Sequence, residues 1–207
     1  MKHEWRKHEK ELYIPKEKPE LVDVPPMNFI TISGKGDPNQ QDFADRIGAL
    51  YPIAYAIRMM PRNGFTPEGY FEYTVYPLEG VWDLTEEGRK KETLVKDDLV
   101  YTIMIRQPDF VTREVFERAV EIAKKKKNNP LFDEVRFETI KDGLSVQMMH
   151  VGPFDEEHRT FEKMKEYISE NNLKLKTLVH REIYISDIRK TEQEKLKTVL
   201  RYLVENR

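Results

Sequence analysis

Polar and aromatic side chains alternate with mainly aliphatic ones near the C-terminal end of the chain, in residues 179–186. Successive side chains of a β-strand point to opposite faces, so a strand here would put His180, Glu182 and Tyr184 on one face. A carboxyl and a phenol held close together can position a water molecule and polarise a carbonyl group. The same alternation also fits a strand whose polar face is simply solvated, because a period of two does not distinguish a cleft from bulk water.

A second carboxylate lies in a similar pattern in the first half of the chain. The segment from Tyr70 to Tyr76 is rich in aromatic and β-branched residues, which favours a strand. Laying residues 71–75 over residues 181–185 places Glu72 at the position equivalent to Glu182. Tyr76 then shares the face of Glu72, and both polar faces are available to line a groove. Trp82 and Phe154 are further aromatic candidates, although such residues belong more often to a core.

The elements that would carry these residues follow the same order twice, strand–helix–strand–strand. In the first half they are a strand at residues 29–33, a helix starting at Asp37 and Pro38, and strands at residues 70–76 and 99–106. In the second half they are a strand at residues 144–151, a helix capped by Asp155, and strands at residues 179–186 and 196–204. This repetition predicts an α+β fold of two pseudo-symmetric β-α-β-β modules, with antiparallel sheets around a central ligand cleft.

Domain boundaries follow from these elements. Residues 1–26 are highly charged and contain four prolines, which predicts an extended N-terminal segment rather than a helix. Residues 27–207 form one domain, with module one at 27–106 and module two at 143–207. Between them, residues 107–142 contain a connecting helix from Thr112 to about Lys126 and a strand at 135–140. Asp142 and Gly143 predict a tight hairpin turn into the next strand.

The composition and residue spacing exclude several kinds of catalytic and metal-binding site. The chain has no cysteine, which excludes a disulfide, a thiolate nucleophile and cysteine-ligated zinc. His150 and His180 are single histidines on strands and lack metal-ligand spacing. The glycines at residues 34 and 36 lack the lysine–hydroxyl pair of a P-loop. We therefore expect no metal site and no cofactor.

Charge and hydropathy limit the partners. The net charge is −2, with acidic and basic residues mixed along the chain, so nucleic acid is not an expected partner. No apolar run approaches the roughly 20 residues that a membrane span needs, and the N-terminus lacks a secretion signal. We expect a cytoplasmic protein with no membrane partner; a protein partner stays unknown.

Three segments resemble GyrI-like proteins: residues 78–82 (LEGVW), 107–111 (QPDFV) and 180–187 (HREIYISD). The likeness runs from about Asn28 to the C-terminus. In drug-sensing relatives fused to DNA-binding domains, the residue matching Glu182 sits in a pocket against cationic aromatic ligands. The resemblance thus implies two modules around a central pocket. This chain has no helix-turn-helix module, so a transcriptional role is not carried over.

Stand-alone relatives include xenobiotic-binding proteins and cyclopropanoid cyclopropyl hydrolases, which open the cyclopropane ring of DNA-alkylating compounds with the help of an aromatic cage. The resemblance therefore implies a detoxifying hydrolase for flat, partly apolar molecules. Glu182 and Tyr184 are then the catalytic candidates; the expected ligand contacts are Trp82, Tyr76, Phe154, Glu72 and His180. Two alternatives stay open: a non-catalytic protein that binds or sequesters small molecules, and a gyrase-inhibitor-like module that binds a protein.

Overall fold

The structure is a computed structural model that describes residues 2–207, and this range contains five α-helices and eight β-strands. The helices are α1 (Trp5–His8), α2 (Lys10–Tyr13), α3 (Gln41–Met59), α4 (Arg113–Lys126) and α5 (Glu157–Glu170). The strands are β1 (Glu20–Val24), β2 (Met27–Lys35), β3 (Leu78–Leu84), β4 (Leu99–Gln107), β5 (Arg136–Ile140), β6 (Gly143–Val151), β7 (Leu173–Tyr184) and β8 (Lys197–Asn206). Their pairing is antiparallel, and the predicted α+β class is confirmed.

The repeated element order is also present, as β2-α3-β3-β4 followed by β6-α5-β7-β8. The chain divides into two compact units, however, whose limits differ from those of the sequence repeat. Unit 1 contains residues 2–3, 27–76 and 83–140, and unit 2 contains residues 4–26, 77–82 and 141–207. The module boundaries drawn from the sequence stay predictions.

In unit 1, strand β2 pairs with β4 on one side and with β5 on the other. Helix α3 packs against β2, β4 and α4. Its apolar residues Leu50, Ile53 and Ile57 are fully buried, as their helical spacing predicts. Thr112 caps α4 by accepting a hydrogen bond from Val115 N, which confirms the predicted start of that helix.

In unit 2, the strands pair in the order β1-β6-β8-β7-β3. Helix α5 covers one face of these strands, where Met164 and Ile168 pack in a buried cluster with Val146, Leu200 and Val204. Residues of β8 alternate between the two faces, so Leu200 lies under α5 while Arg201 points to the other side, where it reaches the backbone of α2.

The predicted strand from Tyr70 to Tyr76 is wrong. The second strand of the first repeat is β3, which begins two residues after Tyr76. Within residues 2–207 the earlier segment forms a single bridge, between Tyr73 and His3. Its backbone bonds to the N-terminus instead, with Glu72 O accepting from His3 N at 2.7 Å and Thr74 N donating to His3 O at 2.8 Å. Strand propensity was misleading here because it reports side-chain type and not the presence of a pairing partner.

The predicted hairpin at Asp142 and Gly143 is also wrong, although Gly143 has the expected positive φ of 68°. Strand β5 pairs with β2, whereas β6 pairs with β1 and β8. The turn residues therefore connect strands that lie in different units, and the Asp142 side chain is used for ion pairs in unit 2.

The N-terminal segment departs from the prediction as well. Instead of running extended throughout, it forms the short helices α1 and α2, on which Trp5 and Tyr13 are buried with ring centroids 5.3 Å apart. The prolines lie outside these helices, so they do not prevent them. Two other helices start later than predicted, at Gln41 and Glu157. Within residues 2–207, no helix has the length and apolar character to cross a membrane.

Candidate functional site

The site is built on two neighbouring antiparallel strands of unit 2, β3 and β7. Their register places Gly80 opposite Glu182 and Trp82 opposite His180. Residues directly opposite each other on paired strands point to the same face, and so do residues two apart on one strand. One face therefore presents Gly80 and Trp82 from β3 together with His180, Glu182 and Tyr184 from β7.

These side chains form a continuous hydrogen-bonded chain. Trp82 Nε1 donates to the Tyr184 hydroxyl at 2.9 Å, and this hydroxyl donates to Glu182 Oε2 at 2.7 Å. The other carboxyl oxygen, Glu182 Oε1, lies 2.9 Å from His180 Nε2. Both oxygens of Glu182 thus have a polar partner, and the carboxyl is held in one orientation.

Burial changes the acid–base properties of Tyr184. Desolvation raises the pKa of its phenol well above the usual range, and the charge and hydrogen bond of Glu182 raise it further, against a small opposing effect of Trp82. The phenol therefore keeps its proton at physiological pH and serves as a hydrogen-bond donor.

A second carboxyl, Glu157, completes the site from the first turn of α5. Its residue surface is 8% exposed, and its Oε1 has no hydrogen-bond partner among the described residues. Burial raises its pKa well above the ordinary value of 4.5, and the charge of Glu182 together with a hydrogen bond between the two carboxyls raises it further. Glu157 therefore keeps its proton to a higher pH than an isolated carboxyl does.

Sequence reasoning did not single out Glu157. A signal was available, since residues 157, 161, 164 and 168 follow the spacing of one helix face. The other three are apolar, Phe161, Met164 and Ile168, so this face of the helix is expected to point inward. A carboxyl on that face must be buried, which is costly unless it stays neutral or has a partner.

Aromatic rings border the hydrogen-bonded chain. Phe154 meets Tyr184 edge-on, with centroids 5.9 Å apart, and Phe161 meets His180 in the same manner at 4.7 Å. Phe154 remains 39% exposed, so an aromatic surface beside the phenol is accessible from solvent. Edge-to-face rings add roughly 0.5–1.5 kcal/mol beyond the area they bury, which suits a flat ligand.

Gly80 is a further position that sequence reasoning did not single out. A Cβ atom there would lie 2.7 Å from Trp82 Nε1 and 3.2 Å from the Tyr184 hydroxyl. The glycine therefore leaves the space in which Trp82 reaches Tyr184. A glycine inside a strand is a general signal for such close approach.

The other predicted site residues lie in unit 1. Glu72 has an exposed side chain, 4.0 Å from Arg58 Nη2, and Tyr76 is buried beneath the guanidinium of Arg106 at 4.6 Å from the ring centroid. The overlay of Glu72 on Glu182 is wrong, because Glu72 precedes strand β3 rather than lying on it. Ligand contact by Glu72 and Tyr76 stays a prediction.

His150 makes structural contacts within unit 2. Its Nδ1 lies 2.9 Å from Thr160 Oγ1, and its Nε2 lies 3.0 Å from Pro153 O. Both ring nitrogens are thus engaged between β6 and the start of α5, which fixes the turn preceding Glu157.

The opposite face of β7 carries a buried ion-pair network rather than the mainly aliphatic surface expected. Arg181 donates to Glu79 at 3.0 Å and to both oxygens of Asp142 at 2.7 and 2.8 Å. Arg201, 1% exposed, lies 3.4 Å from Asp142. Burial of Asp142 opposes its ionisation, but the hydrogen bonds and charges of the two arginines outweigh it and lower its pKa. This network holds β7 in place from the face opposite the site.

The sequence model of the GyrI-like small molecule binding domain matches residues 17–203. The chain is 41% identical to a protein from Listeria innocua described as a hydrolase encoded by lin2189, with 99% of this chain and 100% of that chain covered and a TM-score of 0.90. A conserved protein of the same organism is 40% identical, covers 98% of this chain and 100% of its own, and also has a TM-score of 0.90.

A more distant likeness concerns the fold alone. The EcmrR C-terminal domain is 16% identical, with a TM-score of 0.54 over 92% of this chain and 98% of that chain. The chain matches no curated protein.

Proposed function

The chain belongs to the family of GyrI-like small-molecule-binding domains, and from this premise we propose that it is a hydrolase of reactive xenobiotics. The substrates would be flat, partly apolar molecules that carry a cyclopropane conjugated to a carbonyl group. A similar Listeria innocua protein, 41% identical over nearly the whole chain, is described as a hydrolase, which supports turnover rather than binding alone. The reaction would add water and open the ring, which detoxifies a DNA-alkylating compound.

The observation that carries this proposal is the hydrogen-bonded chain from Trp82 through Tyr184 to Glu182. It holds a carboxyl and a neutral phenol in fixed orientation within a nearly dry, aromatic environment. Fixed polar groups in such an environment stabilise developing charge better than mobile water does.

Ring opening needs help at two places. A water molecule must be oriented towards a ring carbon, and the negative charge that develops on the carbonyl oxygen must be stabilised. In our proposal Glu182 orients the water and accepts its proton, while Tyr184 donates its hydroxyl hydrogen to Glu182 and so fixes the carboxyl. Trp82 and Phe154 provide the aromatic surfaces against which the flat ligand stacks, and His180 holds the second oxygen of Glu182.

The test is to incubate the protein with a cyclopropane-bearing alkylating agent and to measure the gain of one water by mass spectrometry. Glu182→Gln keeps the shape of the side chain but cannot accept the proton, so turnover should fall about 10²-fold or more, with a smaller change in affinity. Glu205→Gln removes an exposed carboxylate at the end of β8 and should leave turnover unchanged. Full turnover in Glu182→Gln would remove Glu182 from the mechanism.

A non-catalytic binding role is the alternative, and the description of the family as a small-molecule-binding domain favours it. Ligand binding can be followed by quenching of Trp82 fluorescence in a Trp5→Phe background, since Trp5 is the other tryptophan of the chain. If ligands quench Trp82 but no alkylating agent gains water, the protein is a binder. In that case Glu182→Gln should weaken binding of cationic ligands selectively.

A further inference from the structure

Glu157 and Glu182 bring two carboxyl groups together in a region that water barely reaches. The two residues are 8% and 9% exposed, and their side chains share a hydrogen bond. Two carboxylates in contact repel each other, so such a pair retains one proton under conditions in which isolated carboxyls are ionised. The pair therefore contains one acid and one base.

The surroundings decide which residue holds the charge. Tyr184 donates to Glu182, and His180 Nε2 lies at hydrogen-bond distance from its other oxygen. Both oxygens of Glu182 therefore already have polar partners. Glu157 receives no comparable support, because its Oε1 is buried without a partner among the described residues. The proton consequently resides on Glu157.

We propose that Glu157 and Glu182 act as a proton-sharing pair that performs both proton transfers of the hydrolysis, with Glu157 as the acid. This inference rests on the proposed function and adds a catalytic residue to it. Glu157 Oε1 is the atom of the pair that has no partner among the described residues, and when it carries the acid proton it can donate to a substrate oxygen. A buried atom of this kind is costly when unsatisfied, so contact with a ligand removes that cost.

The reaction balances without an external acid or base. The oxygen of water forms a bond to a ring carbon while Glu182 takes the proton of that water. The C–C bond of the cyclopropane breaks, and its electron pair moves through the conjugated system to the carbonyl oxygen, which receives the proton of Glu157. The product contains one added water, as an alcohol and a phenol or enol. The proton on Glu182 then returns to Glu157 through their hydrogen bond, which restores the starting state.

Ionisable groups that face α5 from the elements packed against it are His180, Glu182 and Tyr184 on β7, His150 on β6 and Tyr202 on β8. Asp155, in the turn before α5, adds a further negative charge near Glu157. The carboxylates among these groups favour retention of the proton. Turnover should therefore decline as the pH rises and the pair loses its proton.

The experiment measures kcat, KM and the pH profile of hydrolysis for three variants. Glu157→Gln should lower kcat about 10²-fold with KM changed only a few-fold, and it should abolish the decline at high pH. Glu157→Asp restores an acid and should recover part of kcat together with that decline. Glu156→Gln is the matched control, since Glu156 is the preceding, more exposed carboxylate and pairs with Arg159; it should behave as wild type.

An infrared measurement tests the protonation state independently of turnover. Wild type and Glu156→Gln should show the band of a protonated carboxyl group at neutral pH, and Glu157→Gln should lack it. Absence of that band in folded wild type overturns the inference, as does a Glu157→Gln variant with the wild-type kcat and pH profile. If wild type shows the band but adds no water to the probe, the proposed hydrolase function fails, whereas turnover of the probe without the band overturns the inference alone.

Discussion

Glu182 is the residue around which the polar groups of unit 2 are arranged, and each of its neighbours restricts it in a different way. Tyr184 and His180 each hold one of its oxygens, and Glu157 contributes a second buried carboxyl, whose pKa is raised. Because the three neighbours come from only two elements, β7 and α5, the geometry depends on how these two elements pack. A small displacement of α5 would therefore change the contact between the two carboxyls.

Gly80→Ala tests whether the empty space beside Trp82 matters. The added methyl group would overlap Trp82 Nε1 at 2.7 Å and must displace the indole or the Tyr184 hydroxyl. We expect a loss of about 1–3 kcal/mol in unfolding free energy and at least a tenfold lower kcat/KM, measured by urea unfolding and by the hydrolysis assay.

Gly48→Ala is the control for that substitution. Gly48 lies inside α3, and a Cβ there meets no atom within 4 Å. Alanine should therefore stabilise the protein by about 0.5–1 kcal/mol, because it lowers the entropy lost on helix formation. Wild-type activity in Gly80→Ala would show that the Trp82–Tyr184 hydrogen bond is dispensable.

At the scale of elements, the short helices α1 and α2 pack on the face of the unit 2 strands that lies opposite α5. Arg201 donates to Leu12 O at 3.1 Å, and Gln147 donates to Glu11 O at 2.6 Å. Arg6 reaches Ile185 O, just beyond the end of β7, at 2.6 Å. These contacts satisfy polar groups that would otherwise be buried without partners, so the N-terminal segment is a structural part of unit 2.

Asp142→Asn tests the ion-pair network behind β7. The substitution leaves Arg181 and Arg201 buried with Glu79 as the remaining carboxylate, and breaking a buried pair in this way costs about 3–5 kcal/mol. The loss of unfolding free energy in Asp142→Asn should be largest near neutral pH. Since the pKa of Asp142 is lowered in the folded state, its stabilising contribution is present above the ordinary value of 3.8 and disappears as the pH falls through the folded value.

Urea unfolding at several pH values measures this effect. Asp133→Asn serves as the comparison, because Asp133 forms an exposed ion pair with Lys124 and should contribute little. Equal stability of the two variants at neutral pH would mean that the network behind β7 does not stabilise the fold.

At the scale of the whole molecule, we expect Glu157 to make stability depend on pH in the direction opposite to that of Asp142. Its pKa is raised in the folded state, so the unfolded chain loses this proton first as the pH rises above the ordinary value of 4.5. The unfolding free energy of wild type should therefore decrease relative to Glu157→Gln, by at most about 1.4 kcal/mol per pH unit, until the folded value is reached.

This prediction is checked with urea unfolding curves of both proteins from acid to neutral pH, followed by circular dichroism. Glu157→Gln should become the more stable protein as neutral pH is approached, which is the expected exchange of stability for activity at a functional site. A difference between the two proteins that stays constant with pH would show that Glu157 ionises normally.

Much of this protein is encoded in local sequence patterns. The alternation in residues 179–186 placed His180, Glu182 and Tyr184 on one face, and the structure joins them by hydrogen bonds. The order of strands and helices was readable for the same reason, because periods of two and 3.6 residues report which face of an element is buried. Resemblance to a family is the source of the proposed ligand chemistry, which no periodicity encodes.

Other features were decided by contacts between distant parts of the chain. The meeting of Glu157 with Glu182 requires α5 to pack on β7, and the ion pairs of Asp142 require β7 and β8 to lie side by side. The strand predicted at residues 70–76 has suitable side chains, but among the described residues it forms a single bridge, to His3, and pairs with no strand. Propensity and periodicity describe one element at a time, whereas strand pairing and carboxyl burial depend on a second element, and tertiary packing alone brings that element into place.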